Sequence, residues 1–388
     1  MLLQSLLDSN SFELQIPWRS RLLYVVGQLR LGGLERQLYY LLANLDHVRH
    51  RPAVVVWNLN PNDKYYREIG ELKIPICGFP AEWNPLSKLK ALRAIVRQAA
   101  PEVIHSYGFH TNFAAYYATR GTRTLAIGSL RSAFARSKVE GGMIRGALNA
   151  RWPFAHISNS VASAESARRH SGSLAPRCVF VVRNGLDLND FRVPSDRPER
   201  NTYVASVGSL LPVKRWDRLL RAVQKLKSMK VGDVDFRIAG DGPLRSVLEK
   251  LAGDLEISRA VEFQGEVHDI PAFLRGAKFL VHTSESEGCP NAVMEAMASG
   301  LPVVAMGAGD IPYLVEDGQS GFVVRQDDEE GLVERISQLI TDDSLCRDMG
   351  RIARAKAERE FGVERMVSGT LEAYRAAGWE NNISNCAG

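Results

Sequence analysis

The feature that most constrains this chain is an alternation between short, wholly apolar runs and longer stretches whose apolar residues recur at helical spacing. Leu22–Val26 is the first apolar run, and leucines mostly three or four positions apart follow it from Leu34 to Leu45. Apolar runs of this length are typical of strands that are buried on both faces of a sheet. Strands that alternate with helices in this way predict a parallel sheet with helices on both faces.

The alternation runs through both halves of the 388 residues, which are too many for one ordinary core. A polar segment with two prolines, 193–201, separates the halves and is predicted to be a linker. The predicted fold is α/β, with two Rossmann-like, doubly wound domains facing a central cleft. Residues 1–192 form the N-terminal domain, 193–362 the C-terminal domain, and 363–388 a helix and tail that can pack back on the N-terminal domain. Further strands are predicted at 53–57, Val103–Ser106, Leu125–Leu130, 156–158, Tyr203–Val207, Asp235–Ala239, 260–263, 279–282 and 302–305.

Charge is divided unevenly between the halves. Residues up to Leu186 carry 24 Lys and Arg against 11 Asp and Glu, whereas the remainder carries 25 against 33. A basic half favours an anionic partner, such as a phospholipid surface or a lipid-linked phosphate, although unevenly distributed solubility charge explains the same counts. The basic residues are not interleaved with aromatic ones, so no nucleic-acid partner is expected.

No apolar run approaches the roughly 20 residues of a spanning helix. The first 17 residues lack the basic start and the cleavage site of a signal peptide. The chain is therefore expected in the cytoplasm, and its basic half allows peripheral contact with anionic lipid at the inner face of the membrane. Five cysteines are scattered without a Cys-x-x-Cys pair, so neither disulfides nor a metal site is expected.

Two glutamates flank the predicted start of a helix. Glu287 lies in the loop after the strand at 279–282, a Pro-Asn pair favours a helix start at Asn291, and Glu295 lies one turn inside the helix. The backbone amides of Asn291 and Ala292 then point outward from the helix N-terminus and can bind a diphosphate. The two carboxylates can accept hydrogen bonds from the hydroxyls of a sugar.

This Glu-x7-Glu pair is followed at 296–304 by Ala-Met-Ala-x-Gly-x-Pro-Val-Val. The whole string resembles the signature of the family 4 retaining glycosyltransferases, or glycosyl transferases group 1, which have the GT-B fold. The resemblance implies that Glu295 binds the ribose of a nucleotide and that Glu287 contacts hydroxyls of the transferred sugar. It extends over most of the chain, from about residue 22 to residue 361.

The loop Gly-Ser-Leu-Leu-Pro-Val-Lys-Arg at 208–215 follows another predicted strand. Lys214 stands where the family usually has a lysine, and a cation there can neutralise the leaving diphosphate. Ser209 stands where the family often has an arginine, and Arg215 can compensate for that missing cation. Val267 lies in a loop that resembles the family's base-binding loop, which acts through its backbone.

In the first half, Gly32 and Gly33 lie between a strand and a helix, where glycine lets the backbone approach a ligand closely. They resemble the Gly-Gly-x-Glu loop of the family. His110 follows the strand Val103–Ser106, and the resemblance implies a catalytic histidine there, close to the sugar and the acceptor. His105 is the alternative, although it is better explained as a satisfied histidine at the end of its strand.

The resemblance implies a retaining hexosyltransferase that uses a UDP- or GDP-sugar donor and a saccharide or lipid-linked acceptor in cell-surface polysaccharide or glycolipid synthesis, without a metal or other cofactor. Two alternatives stay open, namely a nucleotide-sugar epimerase or hydrolase of the same fold and a non-catalytic partner of a transferase. The predicted catalytic residues are Glu287, Lys214 and His110. The predicted donor-binding residues are Gly32, Gly33, Ser209, Lys214, Arg215, Val267, Glu287, Asn291, Ala292 and Glu295.

Overall fold

The computed structural model describes residues 20–131, 134, 142–170, 175–192 and 203–380. The predicted linker at 193–201 lies outside the described residues. Contacts within the chain define two compact units. The first unit comprises Met1–Ser158, Ala164–Val182 and Val367–Gly388, and the second comprises Asn159–Ser163 and Arg183–Met366.

The first unit contains a seven-stranded sheet in the order β3-β2-β1-β4-β5-β6-β7. All of its strand pairs are parallel. The strand order reverses between β1 and β4, where Leu22 pairs with both Pro52 and Val103. In a doubly wound sheet this reversal is where ligands bind, outside the carboxyl ends of the strands. The strands are β1 (Leu22–Val26), β2 (Pro52–Val56), β3 (Ile76–Gly78), β4 (Val103–Ser106), β5 (Leu125–Leu130), β6 (Ala155–Ser158) and β7 (Cys178–Val181).

Helices connect these strands, and the fourth one illustrates how their ends are fixed. The side chain of Asn84 accepts a hydrogen bond from Ser87 N at 2.9 Å, and the helix ends where Ala100 adopts a left-handed φ of 45°. Leu92 and Val96, four residues apart, are buried in the core. The helices are α1 (Gly33–Ala43), α2 (His47–His50), α3 (Lys64–Glu71), α4 (Pro85–Ala99), α5 (Asn112–Thr119), α6 (Met143–Arg151) and α7 (Val161–Arg169).

The second unit contains a six-stranded parallel sheet in the order β10-β9-β8-β11-β12-β13. Its order reverses between β8 and β11, so these two strands lie side by side at its centre. The strands are β8 (Tyr203–Val207), β9 (Asp235–Ala239), β10 (Val261–Gly265), β11 (Ala277–His282), β12 (Val303–Met306) and β13 (Gly321–Val324). The helices are α8 (Trp216–Ser228), α9 (Arg245–Asp254), α10 (Ile270–Arg275), α11 (Asn291–Ala298), α12 (Ile311–Leu314), α13 (Glu329–Thr341) and α14 (Asp343–Glu360). The last helix, α15 (Val363–Ala376), belongs to the first unit from Val367 onward.

The two sheets confirm the predicted fold class of two Rossmann-like, doubly wound α/β domains. Three strands were missed by the sequence analysis, namely β3, β7 and β13, and each of them is an edge strand. Each of them is only three or four residues long, which is too short a run to show a reliable period. Within the described part of the chain, no helix combines the length and the apolar character that crossing a bilayer requires.

Candidate active site

The carboxyl end of β11 carries a closely connected group of polar side chains. Lys214 Nζ lies 2.6 Å from Glu287 Oε1, and His282 Nε2 lies 3.0 Å from the same oxygen. The side chain of Glu287 is only 12% exposed, and that of His282 only 4%. The structure therefore brings together two predicted site residues that are 73 positions apart in the chain, and it adds His282 to them.

The carboxylate of Glu287 is ionised because of these neighbours. Burial alone would raise the pKa of Glu287, but the hydrogen bond and the charge of His282, together with Lys214, hold that pKa well below its usual value of 4.5. A buried carboxylate with two donors on one oxygen is held in a defined orientation, which suits the binding of a ligand hydroxyl.

Hydrogen bonds between two loops fix the position of Lys214. It ends a short 3₁₀ turn, Pro212–Lys214, after β8. Thr283 Oγ1 donates to the carbonyl of Lys214 at 2.9 Å, and Ser284 Oγ donates to the carbonyl of Val213 at 3.1 Å. The loop after β11 is thus joined to the turn that carries the lysine.

The loop from Glu287 to α11 is packed tightly against a neighbouring segment. Gly309 has a φ of 53°, and a Cβ atom there would lie 2.3 Å from the carbonyl oxygen of Glu287. Asp310 N donates to the carbonyl of Gly288 at 3.0 Å. The side chain of Asp310 is fully buried. Gly309 is therefore required by a close backbone approach as well as by its left-handed conformation.

Helix α11 begins at Asn291, and no side chain caps it at Pro290. Asn291 Oδ1 accepts a hydrogen bond from Asn184 Nδ2 at 2.7 Å. Ala292 is half-buried, and Glu295, four residues after Asn291, is 2% exposed. Residues four apart lie on one side of a helix, so Asn291 and Glu295 share a face of α11.

The predicted phosphate residues at the end of β8 differ in their surroundings. Ser209 is exposed, and its carbonyl accepts from Trp216 Nε1 at 3.0 Å. Arg215 donates to both carboxylate oxygens of Asp217 at 3.0 Å and lies 3.5 Å from Glu285. The guanidinium of Arg215 is thus already engaged by two acidic side chains.

Glycines bring the loops after β8, β9 and β10 into close contact. A Cβ atom on Gly240, whose φ is 146°, would lie 2.0 Å from the carbonyl oxygen of Gly208. Gly240 N donates to the carbonyl of Gly265 at 2.7 Å. Val267 follows Gly265 by two residues and is half-buried.

In the first unit, Gly32 and Gly33 stand at the start of α1. A Cβ atom on Gly32 would lie 2.3 Å from Glu35 Oε2, so the glycine leaves room for that carboxylate to fold back on the helix end. Glu35 is buried, and burial raises its pKa.

The two candidate histidines of the first unit have different surroundings. His105 is 1% exposed, with Nδ1 2.7 Å from Tyr374 Oη and Nε2 2.9 Å from Ser129 Oγ. Burial, and to a smaller extent the charge of Arg131, hold the pKa of His105 well below its usual value. His105 is therefore a neutral, satisfied histidine in the interior. His110 is exposed on a 3₁₀ turn that follows β4.

Sequence reasoning missed His282. It closes the predicted strand at 279–282 and precedes Glu287 by five residues, but no spacing rule connects these two positions. Among the residues that the structure describes, no three His, Cys, Asp or Glu side chains are grouped so as to hold a metal ion.

Two family descriptions match adjoining parts of the chain. "Glycosyltransferase Family 4" matches residues 31–190, and "Glycosyl transferases group 1" matches residues 188–356. The chain belongs to glycosyltransferase family 4. Solved structures of this fold include Anabaena Alr3699/HepE in complex with UDP, with a TM-score of 0.78 and 22% identity over 92% of this chain and 100% of that one. Sucrose-phosphate synthase from Thermosynechococcus elongatus has a TM-score of 0.76 and 17% identity over 92% of this chain and 98% of its own. The GT-B fold predicted for this family member is thereby confirmed.

Curated relatives are similar over a smaller part of their length. D-inositol 3-phosphate glycosyltransferase of Streptomyces avermitilis is 31% identical over 57% of this chain and 51% of its own. Lipopolysaccharide core biosynthesis glycosyltransferase LpsE of Rhizobium meliloti is 32% identical over 50% of this chain and 54% of its own. The chain thus spans about half the length of the curated relatives that it matches.

Proposed function

We propose that this chain is a retaining glycosyltransferase that moves a hexosyl group from a UDP- or GDP-sugar to a saccharide or lipid-linked acceptor. Synthesis of a cell-surface polysaccharide or glycolipid is the process we propose for it. The observation that carries the proposal is the contact of Lys214 with the ionised Glu287, in the loop that leads into the helix of the buried Glu295.

Each of these residues has a role that matches its chemistry. Lys214 supplies positive charge where negative charge accumulates on the leaving diphosphate, and the amides of Asn291 and Ala292 add to it. Glu287 accepts hydrogen bonds from hydroxyls of the transferred sugar, and Glu295 accepts them from the ribose. Ser209, Arg215 and the backbone of Val267 complete the donor site of the second unit.

The first unit contributes Gly32, Gly33 and His110 to the proposed reaction. The glycines offer backbone amides to the donor, and His110 is the exposed histidine after β4. His105 is not assigned a role, because Tyr374 and Ser129 already occupy both of its ring nitrogens.

The proposed reaction retains the configuration of the anomeric carbon. The acceptor oxygen bonds to that carbon on the face from which the diphosphate leaves, and the departing diphosphate takes the proton of the acceptor hydroxyl. Glu287 orients the sugar and is not a general acid, because its carboxylate stays ionised. No metal is assigned to the reaction.

A UDP-sugar is the first donor to test. The Anabaena HepE structures hold UDP, and one of them holds UDP-glucose. That protein shares the fold with this chain at 22% identity, which supports a nucleotide-sugar donor without selecting the sugar.

A thermal-shift series with UDP-, GDP- and ADP-sugars tests the proposal, followed by transfer and donor-hydrolysis assays with the donor that stabilises the protein. Glu287→Gln should reduce transfer by about 100-fold or more, because it removes a charge that orients the sugar. Glu358→Gln, a 56% exposed glutamate of α14 that pairs with Arg354 outside the proposed site, is the control and should retain transfer. Donor consumption at an unchanged rate in Glu287→Gln would contradict the proposal, and turnover without an acceptor would favour a hydrolase or epimerase.

We also propose peripheral binding to anionic lipid through the basic half of the chain. Residues up to Leu186 carry 24 Lys and Arg against 11 Asp and Glu. The protein should co-sediment with vesicles that contain phosphatidylserine at low salt. It should dissociate from them at high salt, because salt screens the attraction between exposed charges. Equal recovery with neutral vesicles would contradict this part of the proposal.

A further inference from the structure

His282 stands at the carboxyl end of β11, a central strand of the second unit that pairs with β8 and β12. Its Cα is in register with that of Ala305 on β12. The side chain is only 4% exposed. Its one hydrogen-bond partner among the described residues is Glu287 Oε1, at 3.0 Å from Nε2.

The chemistry of the two groups fixes the direction of this hydrogen bond. An ionised carboxylate only accepts hydrogen bonds, so the proton lies on Nε2 of His282 and the imidazole donates. Lys214 donates to the same oxygen. Both donors thus bind Oε1, and Oε2 is the oxygen that is left to a ligand.

We propose that His282 is a positioning residue, which holds Oε1 of Glu287 so that Oε2 is presented to a hydroxyl of the transferred sugar. This inference rests on the proposed glycosyltransferase function. It adds a residue that touches neither the donor nor the acceptor and acts only through Glu287.

The need for a second donor follows from the two tasks of Lys214. Its ammonium stands on a long, flexible stem, and in the proposed reaction it is also attracted to the diphosphate of the donor. When the lysine turns toward the diphosphate, Glu287 loses part of its support. The imidazole, a shorter and stiffer side chain at a strand end, keeps the carboxylate in place at that moment.

Two substitutions of His282 separate the effect of losing the hydrogen bond from the effect of changing the volume of the side chain. His282→Leu removes the donor, and His282→Gln places an amide N–H close to the position of Nε2. The leucine variant should lose about 10- to 100-fold in kcat/KM for transfer, the range expected when a hydrogen bond to a charged group is lost. The glutamine variant should recover most of that loss.

The affinity for UDP alone distinguishes a positioning role from a merely structural one, because a structural defect would also weaken the binding of UDP. UDP lacks the transferred hexosyl group and therefore makes no use of Glu287, so both variants should bind UDP within about 3-fold of wild type, a change under 1 kcal/mol. His156→Leu is the matched control, because His156 is a fully buried histidine of the first unit outside the proposed site. It should alter the melting temperature without a selective loss of transfer.

A measurement on the unliganded protein keeps the inference testable if a variant does not fold. In ¹⁵N-histidine-labelled protein, the Nε2–H proton of His282 should give a downfield, slowly exchanging signal that shifts upfield in Glu287→Gln. An Nε2 that carries no proton, or a signal unaffected by Glu287→Gln, would overturn the inference.

The outcomes distinguish this inference from the proposed function. If wild type transfers no sugar from any donor while the Nε2–H signal depends on Glu287, the function fails and the orientation of the carboxylate stands. If wild type transfers sugar and His282→Leu does so equally well, the positioning role is wrong and the function stands.

Discussion

Glu287 is a charged side chain in a largely buried place, and it is tolerated there because Lys214 and His282 both donate to it. Burying a charge is unfavourable unless partners compensate, and removing one partner leaves the other unpaired. The three residues therefore act as a unit. Substitutions among them should not have additive effects on stability.

The low pKa of Glu287 makes part of the stability depend on pH. Its folded pKa lies below the usual 4.5, so the ionised carboxylate stabilises the protein fully above that pH and progressively less as the pH falls below it. At pH 7, Glu287→Gln should lower the free energy of unfolding by about 1–3 kcal/mol. The difference between wild type and variant should shrink in melts at pH 3.5. A difference that stays constant from pH 7 to pH 3.5 would show that the carboxylate is not held by its neighbours.

Among the elements, the loops after β8 and β9 depend most on their glycines. Gly240 lies against the carbonyl of Gly208, and a Cβ atom on Gly242 would lie 2.9 Å from backbone atoms of Leu210. The backbone of the loop that carries Ser209 therefore packs directly against the backbone of the loop at 240–242. Any side chain between them would displace the backbone on which the proposed diphosphate contacts depend.

Gly240→Ala should lower the free energy of unfolding by about 1–3 kcal/mol and weaken UDP binding, because the new methyl group collides with Gly208 and the φ of 146° is strained for alanine. Gly253→Ala, inside α9, meets only Ser258 Oγ at 3.9 Å. Because alanine favours a helix, this control should keep or raise stability by up to about 1 kcal/mol. Chemical denaturation and UDP titration measure both effects, and equal behaviour of the two variants would refute the close approach.

The central elements were predictable from sequence, whereas the contacts between loops were not. The strands β1, β8 and β11 have five or six residues each and are recognised from their apolar runs, whereas β3, β7 and β13 have only three or four, too few to show a reliable period. Lys214 and Glu287 were selected by resemblance, since no periodicity relates positions 73 apart. The contact of His282 with Glu287 and the close approach of Gly240 to Gly208 depend on tertiary packing, which local sequence does not encode.

At the scale of the whole molecule, the first unit is assembled from segments that are distant in sequence. Residues from Val367 onward belong to it together with β1–β7. Trp379, 3% exposed, donates from Nε1 to Glu102 Oε2 at 2.8 Å, and Arg21 binds the same carboxylate. Tyr374 binds His105 inside the same unit.

Trp379→Ala should cost about 3–5 kcal/mol of stability, because it empties a buried site and leaves Glu102 with one partner fewer. Trp379→Phe keeps most of the ring and loses only the hydrogen bond, so it should cost about 1–2 kcal/mol. Differential scanning calorimetry of both variants gives the comparison. If both variants lost the same small amount of stability, the indole of Trp379 would not fill a buried site in the first unit.

Treatment with EDTA should leave transfer unchanged in the proposed reaction, because Lys214 and the amides of α11 are assigned the charge of the diphosphate. The assay compares initial rates before chelation, after it, and after addition of Mg²⁺ or Mn²⁺. A loss of rate that Mg²⁺ or Mn²⁺ restores would contradict the assignment of the leaving-group charge to the protein alone.

The membership of residues 367–380 in the first unit has a consequence for biosynthesis. The strands β1–β7 are synthesised first. At about 5–20 residues per second, the ribosome needs roughly 10–40 s more to reach Val367. During that interval the partners of His105 and Glu102 on α15 and beyond are still untranslated, so the nascent sheet is exposed with an incomplete interior. Residues 183–366 leave the ribosome without interruption, so the second unit can close before the first is complete.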